Sequence, residues 1–135
     1  MTRKFKVVAE EKDKFIVFWS KANQFYDMMH HAQKTEMWAA LGLNAVHCAI
    51  SASDALLVRY LGQRGAGDDH IQAARILSQL LLEGVEGQVV NFKRIIAKKN
   101  AIAYENREFR QREALDISKQ TERFYQWASN YLSAV

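Results

Sequence analysis

The chain has 135 residues, is 49% hydrophobic and carries a formal net charge of +4. A single domain of that size and apolar content can bury a core without disulfides or a structural metal. Its one cysteine, Cys48, lies in an apolar run with no secretory leader before it, which excludes a disulfide framework and points to the reducing cytoplasm. The longest uncharged stretch, Met37 to Ser53, contains Asn44, His47, Ser51 and Ser53 and falls short of the roughly 20 apolar residues of a membrane span, so it is expected to be a buried helix.

Proline is absent, and the glycines concentrate near residues 62 to 67 and 84 to 87, so long helices are free to form between those two points. From Glu11 to about Gln33, Phe15, Phe18, Trp19, Ala22, Phe25, Tyr26 and Met29 recur at three and four residues, the stripe of an amphipathic helix. A second helix starts after Thr35, at Trp38, and runs to Leu61; it is apolar on most sides and is expected at the centre of a bundle. Gly62, Gly65 and Gly67 end it, and Asp68 or Asp69 caps a third helix from His70 to about Leu82, with Ile71, Ala74, Leu77 and Leu81 on its inner side. Gly84 and Gly87 break that helix. A fourth is expected over Val89 to Tyr104, and a fifth over about Arg107 to Leu132 with Ile117, Phe124, Ala128 and Tyr131 facing inward. There is no repeat, no linker and no strand signal. The expected fold is an all-α, up-and-down bundle of four to five helices in one domain, 1–135.

Charge is distributed unevenly. The segment Gln88 to Tyr104 carries Lys93, Arg94, Lys98 and Lys99 with no acidic residue, while the rest of the chain holds 15 basic and 15 acidic residues. Such a stretch is either a solvated helix face or a footprint for anions and nucleic acid. Between Glu105 and Arg123 the charges balance, several at i, i+3 or i, i+4, a pattern that stabilises a helix surface. Trp19, Trp38 and Trp127 sit on apolar stripes and are read as packing residues rather than base-stacking platforms.

No phosphate loop, zinc spacing or nucleophile elbow is present. Adjacent His30 and His31 point to different helix faces and cannot share a metal, so no metal and no cofactor is assigned. His47, among alanines of the central helix, is read as a hydrogen-bonded core histidine. Asp54, in the same helix, needs a partner if buried, and a basic residue of the fourth helix could supply it.

The segment Lys98-Lys99-Asn100-Ala101-Ile102-Ala103-Tyr104, taken with the run His47 to Leu57 and the helix order, resembles the HEPN (higher eukaryotes and prokaryotes nucleotide-binding) family over residues 10 to 132. The resemblance implies a compact, commonly homodimeric helical bundle, and many members are metal-independent RNases or toxins partnered by a nucleotidyltransferase. In those RNases an Arg, a polar residue and a His lie near the end of this helix. Lys99, Asn100 and Tyr104 take those three places here. Metal-free RNA cleavage needs a base for the 2′-hydroxyl, an acid for the leaving oxygen and a cation at the phosphorane. A tyrosine, with an ordinary pKa of about 10, is a poor proton carrier near neutrality, and lysine replaces a planar fork by a point charge. Phosphate binding survives those changes better than catalysis.

The resemblance therefore implies a non-catalytic dimer binding nucleotide, RNA phosphate or a nucleotidyltransferase through Arg94, Lys98, Lys99, Asn100 and Tyr104, with Asp54 and His47 in support. The alternatives are an active RNase of toxin type and a structural homo-oligomer without ligand. Arg64 and His70 also fit the family's Arg and His spacing, but across a turn rather than along a helix.

Overall fold

The structure, a computed structural model, describes residues 7–65 and 70–133. It is an all-α bundle. Five helices of eight residues or more, α1 (Phe15–Lys34), α2 (Trp38–Leu61), α3 (His70–Leu77), α4 (Val85–Ile96) and α6 (Gln111–Leu132), are joined by a short α5 (Lys99–Ala103). The expected caps Asp68 and Asp69, and Gly67 with them, lie outside the described residues.

Helix α2 organises the rest. Thirteen of its 24 residues are buried, Leu41, Val46, Leu56 and Leu57 completely. By length and composition it could cross a membrane, contrary to the reading that its apolar stretch is too short, but 72% of its apolar window is buried inside the bundle. The apolar partners it needs are supplied by the protein. Helix α1 folds back along it after the turn at Thr35 to Met37, contributing Phe15, Ala22, Met29 and Ala32. Helix α6 covers another side with Ile117, Phe124 and Ala128, and Thr121 Oγ1 donates across the contact to the Ala45 carbonyl at 3.5 Å. Helix α4 closes the remaining wedge, its Phe92 against Phe124 at 5.3 Å between ring centroids. Burial of this many large apolar side chains, each stabilising by roughly 1.5 to 3 kcal/mol, is what holds the helices together.

Five expectations are corrected. Val7–Ala9 and Gln63–Gly65 pair as a two-stranded antiparallel sheet, with Val8 opposite Arg64, although no strand was expected. Three residues are too few to show a period of two, and the pairing follows from Gly62, whose left-handed backbone (φ 65°) ends α2 and turns the chain toward the N-terminal segment. Helix α3 stops at Leu77 rather than about Leu82: the amides of Gln79 and Leu80 bond three residues back, tightening the chain into a turn. Leu81, expected inside, is fully exposed, as is most of Ile71. Helix α4 begins at Val85, so Gly87 lies within it, and it ends at Ile96 instead of continuing to Tyr104. Finally, no ion pair joins two residues of α6 among the described residues. Glu122 turns to His30 of α1 (2.8 Å), and Glu113 to Arg107 in the preceding loop (2.9 Å).

Cys48 is completely buried, and burial pushes its thiol up to about 12, so it is a packing residue and not a nucleophile. Asp54 is also mostly buried. Burial pushes its carboxyl up to about 6, opposed by the charges of Arg64 on the sheet and Lys21 on α1. Its basic neighbours therefore come from the sheet and α1, not from α4 as expected.

Because the Asp54 carboxyl takes up a proton more readily in the fold than in the unfolded chain, its contribution to stability falls as pH rises from about 4 to about 6. Asp54→Asn is expected to stabilise the protein at pH 7.5 by about 1 to 3 kcal/mol, and the advantage should vanish near pH 4. Urea midpoints that coincide for the two proteins at pH 7.5 would contradict this.

Candidate functional site

The break between α4 and α5 shapes the candidate site. Ile95 lies in the core, and Ile102, seven residues on, packs beside Gly42 near the start of α2. The amide of Lys98 bonds to the Ile95 carbonyl at 3.1 Å, three residues back, so one tightened turn redirects the helix between them. Gly42 permits the contact: a Cβ there would stand 2.6 Å from Phe109 Cε2 and 2.9 Å from Ile102 Cδ1. Helix α5 then ends at Tyr104, where the amides of Tyr104 and Glu105 both bond to the Asn100 carbonyl at 2.9 and 3.1 Å.

Beside this junction the start of α3 leaves a cleft of about 420 Å³. Lys93, Ile96, Lys99, Asn100 and Tyr104 line one wall, and His70 and Ile71 the other. Lys99, Asn100 and Tyr104, expected as a set, are thus brought together, and His70 joins them from another helix. Among the described residues no carboxylate lines the cleft, while Lys93 and Lys99 supply two positive charges. Tyr104 is 77% exposed, so its ring is available to a ligand. Asn100 is exposed as well.

The other candidates lie elsewhere. Arg94 and Lys98 are exposed but do not line the cleft. Lys98 faces the start of α6: the Glu113 carboxyl is held below its ordinary value chiefly by its hydrogen bond from Arg107, and in smaller part by the charge of Lys98. Arg64 is committed to Glu10 at 3.2 Å and to the face of Phe18 at 5.3 Å, so it does not share the cleft with His70. His47 is half-buried beside Phe25, and among the described residues it makes no hydrogen bond, unlike the hydrogen-bonded core histidine expected. Burial, then the charge of Lys99, pushes its imidazole below the ordinary histidine value, so it is neutral near pH 7. Among the described residues no group of three His, Cys, Asp or Glu could hold a metal ion.

Sequence reasoning missed Lys93 as a cleft residue and Gly42 as the hinge of the arrangement. The signal for Lys93 was present in its spacing, since residues 93, 96, 99 and 100 share a helical face. Gly42 gave no local signal, because the groups it admits are about 60 residues away in sequence.

Gly42→Ala is expected to destabilise the protein by about 1 to 3 kcal/mol in urea unfolding, since the rings and branched carbons it meets belong to packed side chains. A variant as stable as wild type would show that α5 is not held by this notch.

Compared with known proteins, no family model, no curated protein and no solved structure matches this chain.

Proposed function

We propose that this chain is a HEPN-like helical domain that binds the phosphate of a nucleotide or RNA in the cleft between α3 and the α4–α5 junction, without cleaving RNA itself. The observation that carries the reading is the composition of that cleft: two lysines, an amide and an exposed phenol, with no carboxylate among the described residues. An entering phosphate meets two ammonium groups and displaces condensed counterions, and Tyr104 offers a face on which a base can stack. The five-helix order and the grouping of Lys99, Asn100 and Tyr104 support the family resemblance. The homodimer and the nucleotidyltransferase partner belong to the same proposal. Exposed Ile16, Val17 and Met28 on α1 support association with a second subunit or partner.

The absence of cleavage rests on Tyr104 standing where the resemblance calls for His. A second reading, a metal-independent RNase, draws on one specific observation: His70 lines the same cleft, so an imidazole faces the phosphate site from α3. A ligand-free structural homo-oligomer is the reading that remains if no nucleotide or RNA binds.

Fluorescence anisotropy with a labelled single-stranded RNA tests the proposal. The double variant Lys93→Gln with Lys99→Gln should weaken binding at least tenfold and reduce the salt slope by about 1.4, the value for two phosphates on a single strand. Arg94→Gln with Lys98→Gln removes the same charge outside the cleft and should weaken binding only about twofold to threefold. Equal losses from the two pairs would mean a diffuse basic face instead of a site.

Wild-type protein is also expected to release no 2′,3′-cyclic phosphate from RNA without metal. If it does, and His70→Ala or Tyr104→Phe abolishes the release, the nuclease reading replaces the non-catalytic one.

A further inference from the structure

Helices α1 and α6 both pack on α2, and side chains close the seam between them. Tyr26 donates to Glu122 at 2.7 Å, His30 Nε2 lies 2.8 Å from the same carboxylate, and Tyr125 donates to Asn23. The rings of Trp19, Tyr125 and Tyr26 stack in succession, at 5.0 and 3.8 Å between centroids. Toward the C-terminal end of α1 the seam opens into a groove of about 670 Å³, larger than the basic cleft and on different helices.

Several features of this groove point to a ligand. Ser118 is 95% buried by the rest of the protein (5% exposed), lines the groove, and among the described residues its hydroxyl has no hydrogen-bond partner. Its oxygen remains open to the groove, where it can bond water or a ligand. Lys34 on the α1 wall and Lys119 on the α6 wall have no carboxylate partner among the described residues. Glu122, the one carboxylate of the lining among the described residues, is already engaged by Tyr26 and His30, which leaves the groove a cationic rim. Leu115 supplies apolar lining beside these groups. The volume lies within the range of small-molecule sites, roughly 300 to 1,000 Å³.

We infer that the α1–α6 groove is a second binding site, for a small organic anion whose phosphate or carboxylate lies between Lys34 and Lys119, accepts from Ser118, and whose apolar body rests on Leu115. The site is independent of the basic cleft and stands or falls separately from it.

Phenyl phosphate is a suitable probe, followed by two-dimensional NMR of isotope-labelled full-length protein. Saturable shifts are expected at the amides of Lys34, Leu115 and Ser118. Lys34→Gln with Lys119→Gln changes exposed side chains only, so it retains the fold by circular dichroism while lowering affinity at those amides at least tenfold. Lys93→Gln with Lys99→Gln should leave those titrations unchanged, which separates this site from the cleft. Benzyl alcohol and inorganic phosphate, each carrying half of the recognised chemistry, should bind at least tenfold more weakly than phenyl phosphate. The inference is overturned if these amides show no saturable shift, if the Lys34 and Lys119 variant titrates like wild type, or if inorganic phosphate alone binds as tightly.

Discussion

A helix that is apolar on nearly every side has to be covered on nearly every side, and α2 imposes that requirement on the whole chain. Its buried residues run from Leu41 to Val58 without a polar stripe wide enough to face water. The long helices α1 and α6 cover two sides, α4 and α3 close much of what remains, and α5 seals the N-terminal end through Ile102. The cleft is a consequence of this covering. One helix could not follow both the core at Ile95 and the notch at Gly42, so α4 and α5 meet at a bend, and the bend leaves space beside α3.

The same constraint explains where polar chemistry can survive. Groups that lie on α2 itself are altered by burial: the Cys48 thiol and Asp54 carboxyl are pushed up, and the His47 imidazole is pushed down. All three shifts disfavour the charged form, as desolvation requires. Groups on the covering helices keep access to solvent. Lys93, Lys99, Asn100 and Tyr104 face outward from α4 and α5, and Lys34 and Lys119 from α1 and α6. The proposed recognition of an anion therefore falls to the outer layer, with the central helix acting as scaffold.

Much of the scaffold was legible in the sequence, because long amphipathic helices announce themselves by period. The stripe Phe15, Ala22, Met29 is buried on α1, and Ile117, Phe124, Ala128 on α6. The bounds of α2 are those that Trp38 and Gly62 mark. What the period could not show is any feature decided by distant residues. The hydrophobic spacing runs unbroken from Val89 to Ile102, yet the helix bends because Ile102 docks 60 residues back at Gly42. The end of α3 before Leu80 and the pairing of Val8 with Arg64 are likewise tertiary choices. The acid-free stretch contains residues of the cleft wall, but it could not separate Lys93 and Lys99, which line the cleft, from Arg94 and Lys98, which do not. Nor could it bring His70 from α3 to the same cleft.

The proposal that RNA phosphate occupies this cleft is tested most directly by photochemical cross-linking of a single-stranded RNA to the protein, followed by tryptic digestion and mass spectrometry. Cleavage after Lys99 and Arg107 isolates residues 100–107, which contain Asn100 and the exposed Tyr104. The account predicts that this peptide carries the principal cross-link and that Tyr104 is the modified residue. Cross-links confined to peptides of α1 or α6, with residues 100–107 unmodified, would contradict it.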